Sequence, residues 1–227
     1  MAARIRKNLT ETPEEGSVSE NYFHRMLSPQ AIKISESYNS EEEKSLKELL
    51  VSIAEARRMN FIAVGAGDLW YLKYGLKYAN KYISIEPLTK IFLNESIEYL
   101  ATQMKDIILI KKKFGDVKKT EIPEDPSIYI FLFNILAYIE NPITAINNLL
   151  REGDILFISA WNTTKKAKQI RKRYFNYLNM FEKKVIIDPE ETIGLCYLDN
   201  FPFESLKYYK RHKRITGKVT DILIVYT

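Results

Sequence analysis

Phe61-Ile62-Ala63-Val64-Gly65-Ala66-Gly67-Asp68 is a run of four apolar residues followed by two glycines at i and i+2. The run reads as a strand and residues 68–80 as the helix after it, so the glycines occupy a strand-to-helix turn. Glycines there let a ligand lie directly over backbone N–H groups at a helix N-terminus. The chain has only 8 glycines among 227 residues, so a pair in one turn belongs to the place and not to the composition.

Downstream, apolar runs and helical stretches alternate. Strands are expected at 61–64, 82–85, 107–110, 128–133 and 155–159, with helices at 68–80, 88–104, 141–151 and 164–181. Four of the five strand runs are nearly continuous β-branched, aliphatic or aromatic residues, the mark of strands buried on both faces of a parallel sheet. Strand and helix in alternation imply right-handed crossovers and a doubly wound α/β domain. In the last third, residues 203–211 and 218–226 are expected to pair as a hairpin about Thr216-Gly217.

Upstream, residues 1–20 are polar and without period, and residues 21–37 have room for one or two short helices interrupted at Pro29. A capping box, Ser40 with Glu43, places the start of a longer helix at Ser40, with Glu41 and Glu42 favoured in its first turn by the macrodipole. Its apolar stripe is Leu46, Leu49, Leu50, Ile53 and Ala54. The expected division is therefore an N-terminal arm and helical cap over 1–57 and an α/β domain over 58–227.

The strand ends carry acidic residues where a nucleotide would need them. Glu86 stands 19 residues after Gly67, at the end of the second strand, where a carboxylate accepts both hydroxyls of a ribose. After the third strand comes Phe114-Gly115-Asp116-Val117, whose Asp is placed to face an adenine amine while Gly115 leaves the ring room. After the fourth comes Asn134-Ile135-Leu136-Ala137-Tyr138-Ile139, and Leu149-Leu150-Arg151-Glu152-Gly153-Asp154 leads into the fifth.

In these motifs the chain resembles the class I S-adenosylmethionine-dependent methyltransferases, in order and spacing over residues 61–161. The resemblance implies a mostly parallel seven-stranded sheet, with the C-terminal strand pair as its antiparallel sixth and seventh strands. It implies S-adenosylmethionine as cofactor. Gly65, Ala66 and Gly67 would line its methionine part, Glu86 and Pro87 its ribose, Asp116 and Val117 its adenine, and Asn134 and Leu136 would close the pocket below the transferred methyl. Two positions depart from the family pattern: Ala63 replaces an acidic residue, with Asp68 as the available substitute, and Leu69 replaces a third glycine. A nicotinamide-dependent oxidoreductase would need a glycine three places after Gly67, where the chain has Trp70.

Methyl transfer from a sulfonium is an in-line displacement that asks mainly for alignment and exclusion of water. The candidate base is His24, in Tyr22-Phe23-His24-Arg25, and Tyr22, Tyr38, Tyr138, Trp161 and Asn162 are candidate walls of the acceptor pocket. The expected substrate is a small molecule or short peptide, in specialised metabolite biosynthesis. Residues 163–227 hold 14 Lys and Arg against 7 Asp and Glu, so the alternative acceptor is RNA, bound by the basic C-terminal third. A non-catalytic cofactor-binding protein is the second alternative.

Composition limits the rest. One cysteine and two histidines make neither an internal disulfide nor a structural zinc site, and no metal is expected. The longest apolar run, Ile128–Ile139, is 12 residues, well below the ~20 that span a bilayer. The N-terminus has no apolar secretory core, so the expected location is cytoplasmic.

Overall fold

The computed structural model describes residues 28–53, 58–65, 72–87, 107–133, 135–180 and 197–227. Five parallel strands, β1 (Asn60–Val64), β2 (Lys81–Ile85), β3 (Ile107–Ile110), β4 (Ser127–Phe131) and β5 (Ile155–Trp161), are joined by an antiparallel pair, β6 (Arg211–Thr216) and β7 (Thr220–Tyr226). The sheet order is β3-β2-β1-β4-β5-β7-β6, the expected seven-stranded doubly wound architecture with its antiparallel C-terminal hairpin. Four helices are described: α1 (Pro29–Ser52), α2 (Leu72–Tyr78), α3 (Pro142–Leu149) and α4 (Lys165–Asn179). The helix expected at 88–104 lies outside the described residues.

The strands are apolar throughout because both faces are covered. Ile62, Val64, Ile83, Ile85, Tyr129, Phe131, Leu156 and Ile158 point to one layer, which holds Ala145, Ile146 and Leu149 of α3. Their neighbours Phe61, Ala63, Tyr82, Ile128, Ile130, Ile155 and Phe157 point to the other, where Leu46, Leu49 and Leu50 of α1 pack. The packing thus ties residues 46–50 to the sheet from which the expected boundary at residue 57 separates them. The other half of α1 lies against α4, through Ala31 with Tyr174, Phe175 and Leu178.

Helix α1 corrects the expected start at Ser40. It runs unbroken from Pro29, with Pro at the first position and the Ser28 hydroxyl accepting from the Ala31 N–H at 3.2 Å. Ser40 is mid-helix, its capping signal overridden because Ala31, Ser35 and Tyr38 continue the buried face upstream. The hairpin is also shifted: β6 begins at Arg211, and Phe203–Ser205 is a single 3-10 turn. Tyr208, at φ +63, breaks the extended run between them. The turn at Thr216-Gly217 stands as expected, closed by the Gly217 N–H donating to Thr220 O at 2.8 Å.

Three consecutive carboxylates of α1 each reach a different element. Glu41 accepts from the N–H groups of Lys218, Val219 and Thr220, at 3.1, 3.0 and 2.9 Å, and so caps the hairpin turn. Glu42 accepts from the Phe133 N–H at 2.7 Å and from the Ser159 hydroxyl, past the end of β4 and on β5. Glu43 accepts from the Tyr74 hydroxyl on α2, and burial together with that carboxylate pushes the Tyr74 phenol up to about 12.

At the opposite edge Asp154 locks the starts of β4 and β5. Its two carboxylate oxygens accept from the Ser127 N–H at 2.8 Å and the Arg151 N–H at 2.7 Å. Burial pushes its pKa up from 3.8 to about 6, the two N–H groups offsetting part of that rise. Asp154 therefore holds its proton more tightly in the folded chain, so its stabilising contribution is complete below pH 3.8 and is lost as the pH rises to about 6. In urea titrations the stability of the wild type relative to Asp154→Asn should shrink between about pH 4 and 6, by up to about 3 kcal/mol, and stay level above about pH 7. A difference that grows with pH in that window would contradict this.

Candidate functional site

The parallel register sets the candidate site. Val64 pairs with Ile85 and with Phe131, and Ile85 with Ile110, so the residues after them emerge level with one another along one sheet edge. Those residues are Gly65, Glu86, Lys111 and Leu132. The chain leaves β1 toward β2 and β3 on one side, while β4 and β5 extend the other, so the reversal point lies between β1 and β4. In open α/β sheets ligands bind outside the strand carboxyl ends at such a point.

Gly65 has φ +63 and donates its N–H to Ile85 O at 2.8 Å. A Cβ there would stand 2.6 Å from Cδ1 and Cγ1 of Ile135, so glycine is required both by conformation and by the close approach of the turn after β4. That turn, Ile135–Tyr138, buries Leu136 and leaves Tyr138 half-buried. Glu86 follows β2 directly, is 2% exposed, and donates its own N–H to Ile110 O at 3.1 Å. Pro87 beside it is half-buried. In the turn Phe114–Asp116, Phe114 and Val117 are buried, Asp116 is exposed, and the space a Cβ of Gly115 would occupy is open. The register brings Gly65 and Glu86, with Pro87 next to it, to one edge, the Gly65–Ile135 contact brings the turn holding Leu136 there, and Asp116 and Val117 lie in the segment that follows β3. Ala66, Gly67, Asn134, Tyr22 and His24 lie outside the described residues.

Three of the expected acceptor walls are buried side chains. Tyr38 and Trp161 are 0% and 2% exposed, their ring centroids 4.5 Å apart. The Tyr38 hydroxyl donates to Ser159 Oγ at 3.2 Å. Asn162 is engaged at both ends of its amide, donating to Gly217 O at 2.9 Å and accepting from the Thr164 N–H at 3.0 Å. These three side chains are buried, whereas Tyr138 is half-buried.

Two residues at this edge escaped the sequence reading. Phe133 has φ +46, a conformation that costs a non-glycine residue about 1–3 kcal/mol. Its ring is held 4.8 Å from Tyr38, 5.7 Å from Trp161 and 5.2 Å from Tyr174. Glu42 holds its N–H. The signal for Glu42 was present: Tyr38, Glu42 and Leu46 are spaced by four on α1, which puts a carboxylate on the apolar stripe.

Outside the edge, a shallow depression of about 440 Å³ lies beside the N-terminal half of α4, lined by Thr163, Lys165, Lys168, Gln169 and Lys172. Strand β6 is exposed along Arg211 to Arg214. Lys210 is paired with Glu152 at 3.0 Å, and Arg214 with Asp199 and Asp221.

No protein-family model and no curated protein matches the chain. Among solved structures it is similar to magnesium protoporphyrin IX methyltransferase from Synechocystis PCC 6803 with bound S-adenosylhomocysteine, at TM-score 0.58 and 11% identity over 93% of this chain and 95% of that one. It is similar also to the N-methyltransferase NodS from Bradyrhizobium japonicum WM9 in complex with S-adenosylhomocysteine, at TM-score 0.54 and 10% identity over 92% and 97%. A SAM-dependent methyltransferase from Aquifex aeolicus gives TM-score 0.53 and 16% identity over 92% and 97%. The fold is therefore that of the S-adenosylmethionine-dependent methyltransferases.

The contact between Gly65 and Ile135 is testable without any ligand. Gly65→Ala should lower stability in urea by about 1–3 kcal/mol, from the positive φ and the clash together. In an Ile135→Ala background the cost should fall toward the backbone part alone, about 1 kcal/mol. Equal costs in both backgrounds would show that Ile135 does not press on Gly65.

Proposed function

We propose that the protein is an S-adenosylmethionine-dependent methyltransferase that binds its cofactor across the carboxyl ends of β1 to β4 and methylates a small molecule or short peptide. The observation that carries this reading is Glu86, a buried carboxylate one residue beyond β2 and level with Gly65 beyond β1. Acidic side chains at adjacent strand ends suit the hydroxyls of a ribose and the amine of an adenine. The residues present fit the group: Asp116 is exposed beside the open space at Gly115, and Gly65 presents backbone without a side chain.

When bound, S-adenosylmethionine supplies a methyl group on a sulfonium, transferred by in-line displacement. Glu86, with Pro87 beside it, would accept the ribose hydroxyls. Asp116 would accept from the adenine amine, with Val117 lining the adenine part. Gly65, Ala66 and Gly67 would line the methionine part, and Asn134 with Leu136 would close the pocket against water. Tyr138 would border the acceptor, with Tyr22 as a further wall and His24 as the base for the acceptor's proton. Tyr38, Trp161 and Asn162 would back that wall.

The second reading, an RNA acceptor, is favoured by the lysine-lined depression on α4 and by exposed β6. The small-molecule reading is preferred because two of the basic groups around the hairpin, Lys210 and Arg214, are already in ion pairs. Among the described residues no helix is long and apolar enough to cross a membrane.

Glu86→Ala should weaken binding of S-adenosylhomocysteine by about 1.5–3 kcal/mol in calorimetry, the scale of hydrogen bonds to a charged group. Unchanged affinity in a folded variant would remove Glu86 from the ribose role. Turnover on RNA would show a log–log salt slope of about −0.7 per neutralised phosphate of a single strand, and turnover on a small molecule a flat one.

A further inference from the structure

Glu42 lies on the N-terminal helix, in a region that the nucleotide logic of the strand ends does not call on. Its side chain is nonetheless 1% exposed and spans from α1 to the exit of β4. One carboxylate oxygen accepts both the Phe133 N–H, at 2.7 Å, and the Ser159 hydroxyl. Ser159 in turn accepts from the Tyr38 hydroxyl, four residues before Glu42 on the same helix face. Phe133 stands two residues past the end of β4, in the left-handed region. Two residues later the Ile135 N–H donates to Leu132 O at 2.9 Å, and the Ile135 side chain sits over Gly65.

These contacts form one mechanical line from α1 to the end of β1. A bulky residue with positive φ persists only where its surroundings over-determine it. Here the ring is held by Tyr38, Trp161 and Tyr174, and the amide by Glu42. The Phe133 ring alone would tolerate some rotation of the peptide before it, whereas a hydrogen bond from its N–H to the buried Glu42 side chain fixes the plane of that peptide.

We infer that Glu42 is a positioning residue for the cofactor edge: by holding the Phe133 N–H it sets the turn after β4 over Gly65 and so fixes the shape of the crevice between β1 and β4. The inference rests on the proposed cofactor site at that edge. Glu42 acts through Phe133 and Ile135, and no contact with the cofactor is required of it.

The test is calorimetric binding of S-adenosylhomocysteine to the full chain, with amide exchange at Phe133 followed by NMR. Glu42→Gln keeps a carbonyl oxygen for the Phe133 N–H and should retain affinity within about threefold, while Glu42→Ala should lose about tenfold or more and speed Phe133 exchange about tenfold. Ser159→Ala removes a hydroxyl donor to the same carboxyl group. It should lower the melting temperature and leave affinity unchanged, which separates positioning from general stability. If Glu42→Ala does not fold, Glu42→Asp, which withdraws the carboxylate by one methylene, should show the same loss of affinity and protection. Wild-type affinity in a folded Glu42→Ala or Glu42→Asp, or an equal loss in Ser159→Ala, would overturn the inference. Failure of the wild-type chain itself to bind S-adenosylhomocysteine would overturn the reading of the edge as a cofactor site, and this inference with it.

Discussion

A carboxyl group buried at position 42 must be met by hydrogen-bond partners, because a buried polar group without them costs several kcal/mol. The donors lie two residues beyond the end of β4 and within β5, and reaching them fixes where α1 crosses the sheet. Once α1 is there, Leu46, Leu49 and Leu50 cover one sheet face, Tyr38 packs on Trp161, and Glu41 meets the hairpin turn between β6 and β7. Phe133 is held in its left-handed conformation by the same helix, and the turn after it closes on Gly65. The shape of the candidate cofactor edge is thus coupled to a helix outside the βα repeat.

The sheet was legible because its signal is repetitive and local. Runs such as Ile128-Tyr129-Ile130-Phe131 are apolar at every position, and only a strand covered on both faces uses such a run. The boundaries that shifted are those decided by tertiary contacts. Ser40 and Glu43 make a sound helix start in isolation, yet burial of Ala31 and Tyr38 carries α1 back to Ser28, whose hydroxyl caps it. β4 stops at Phe131 and not at residue 133 because Phe133 turns left-handed, which no local propensity of phenylalanine announces.

The site was legible in part for the same reason. Gly65 and Glu86 sit at strand ends, and the sheet's register, which follows from the strands, brings them level. Tyr38, Trp161 and Asn162 were read by residue type as pocket walls, and their burial depends on contacts distant in sequence, such as Tyr38 with Ser159. Glu41, Glu42 and Glu43 were read as one helix-end feature, although successive positions on a helix point about 100° apart and so address different neighbours.

The central claim, that a nucleotide cofactor lies across the carboxyl ends of β1 to β4, is tested most directly by a crystal structure of the protein with S-adenosylhomocysteine. The account predicts adenosine density beyond the ends of β1, β2 and β3, with the ribose hydroxyls on the Glu86 carboxylate and the adenine between Asp116 and Val117. Density over the lysine-lined depression of α4, or a saturating soak that leaves that edge empty, would contradict it.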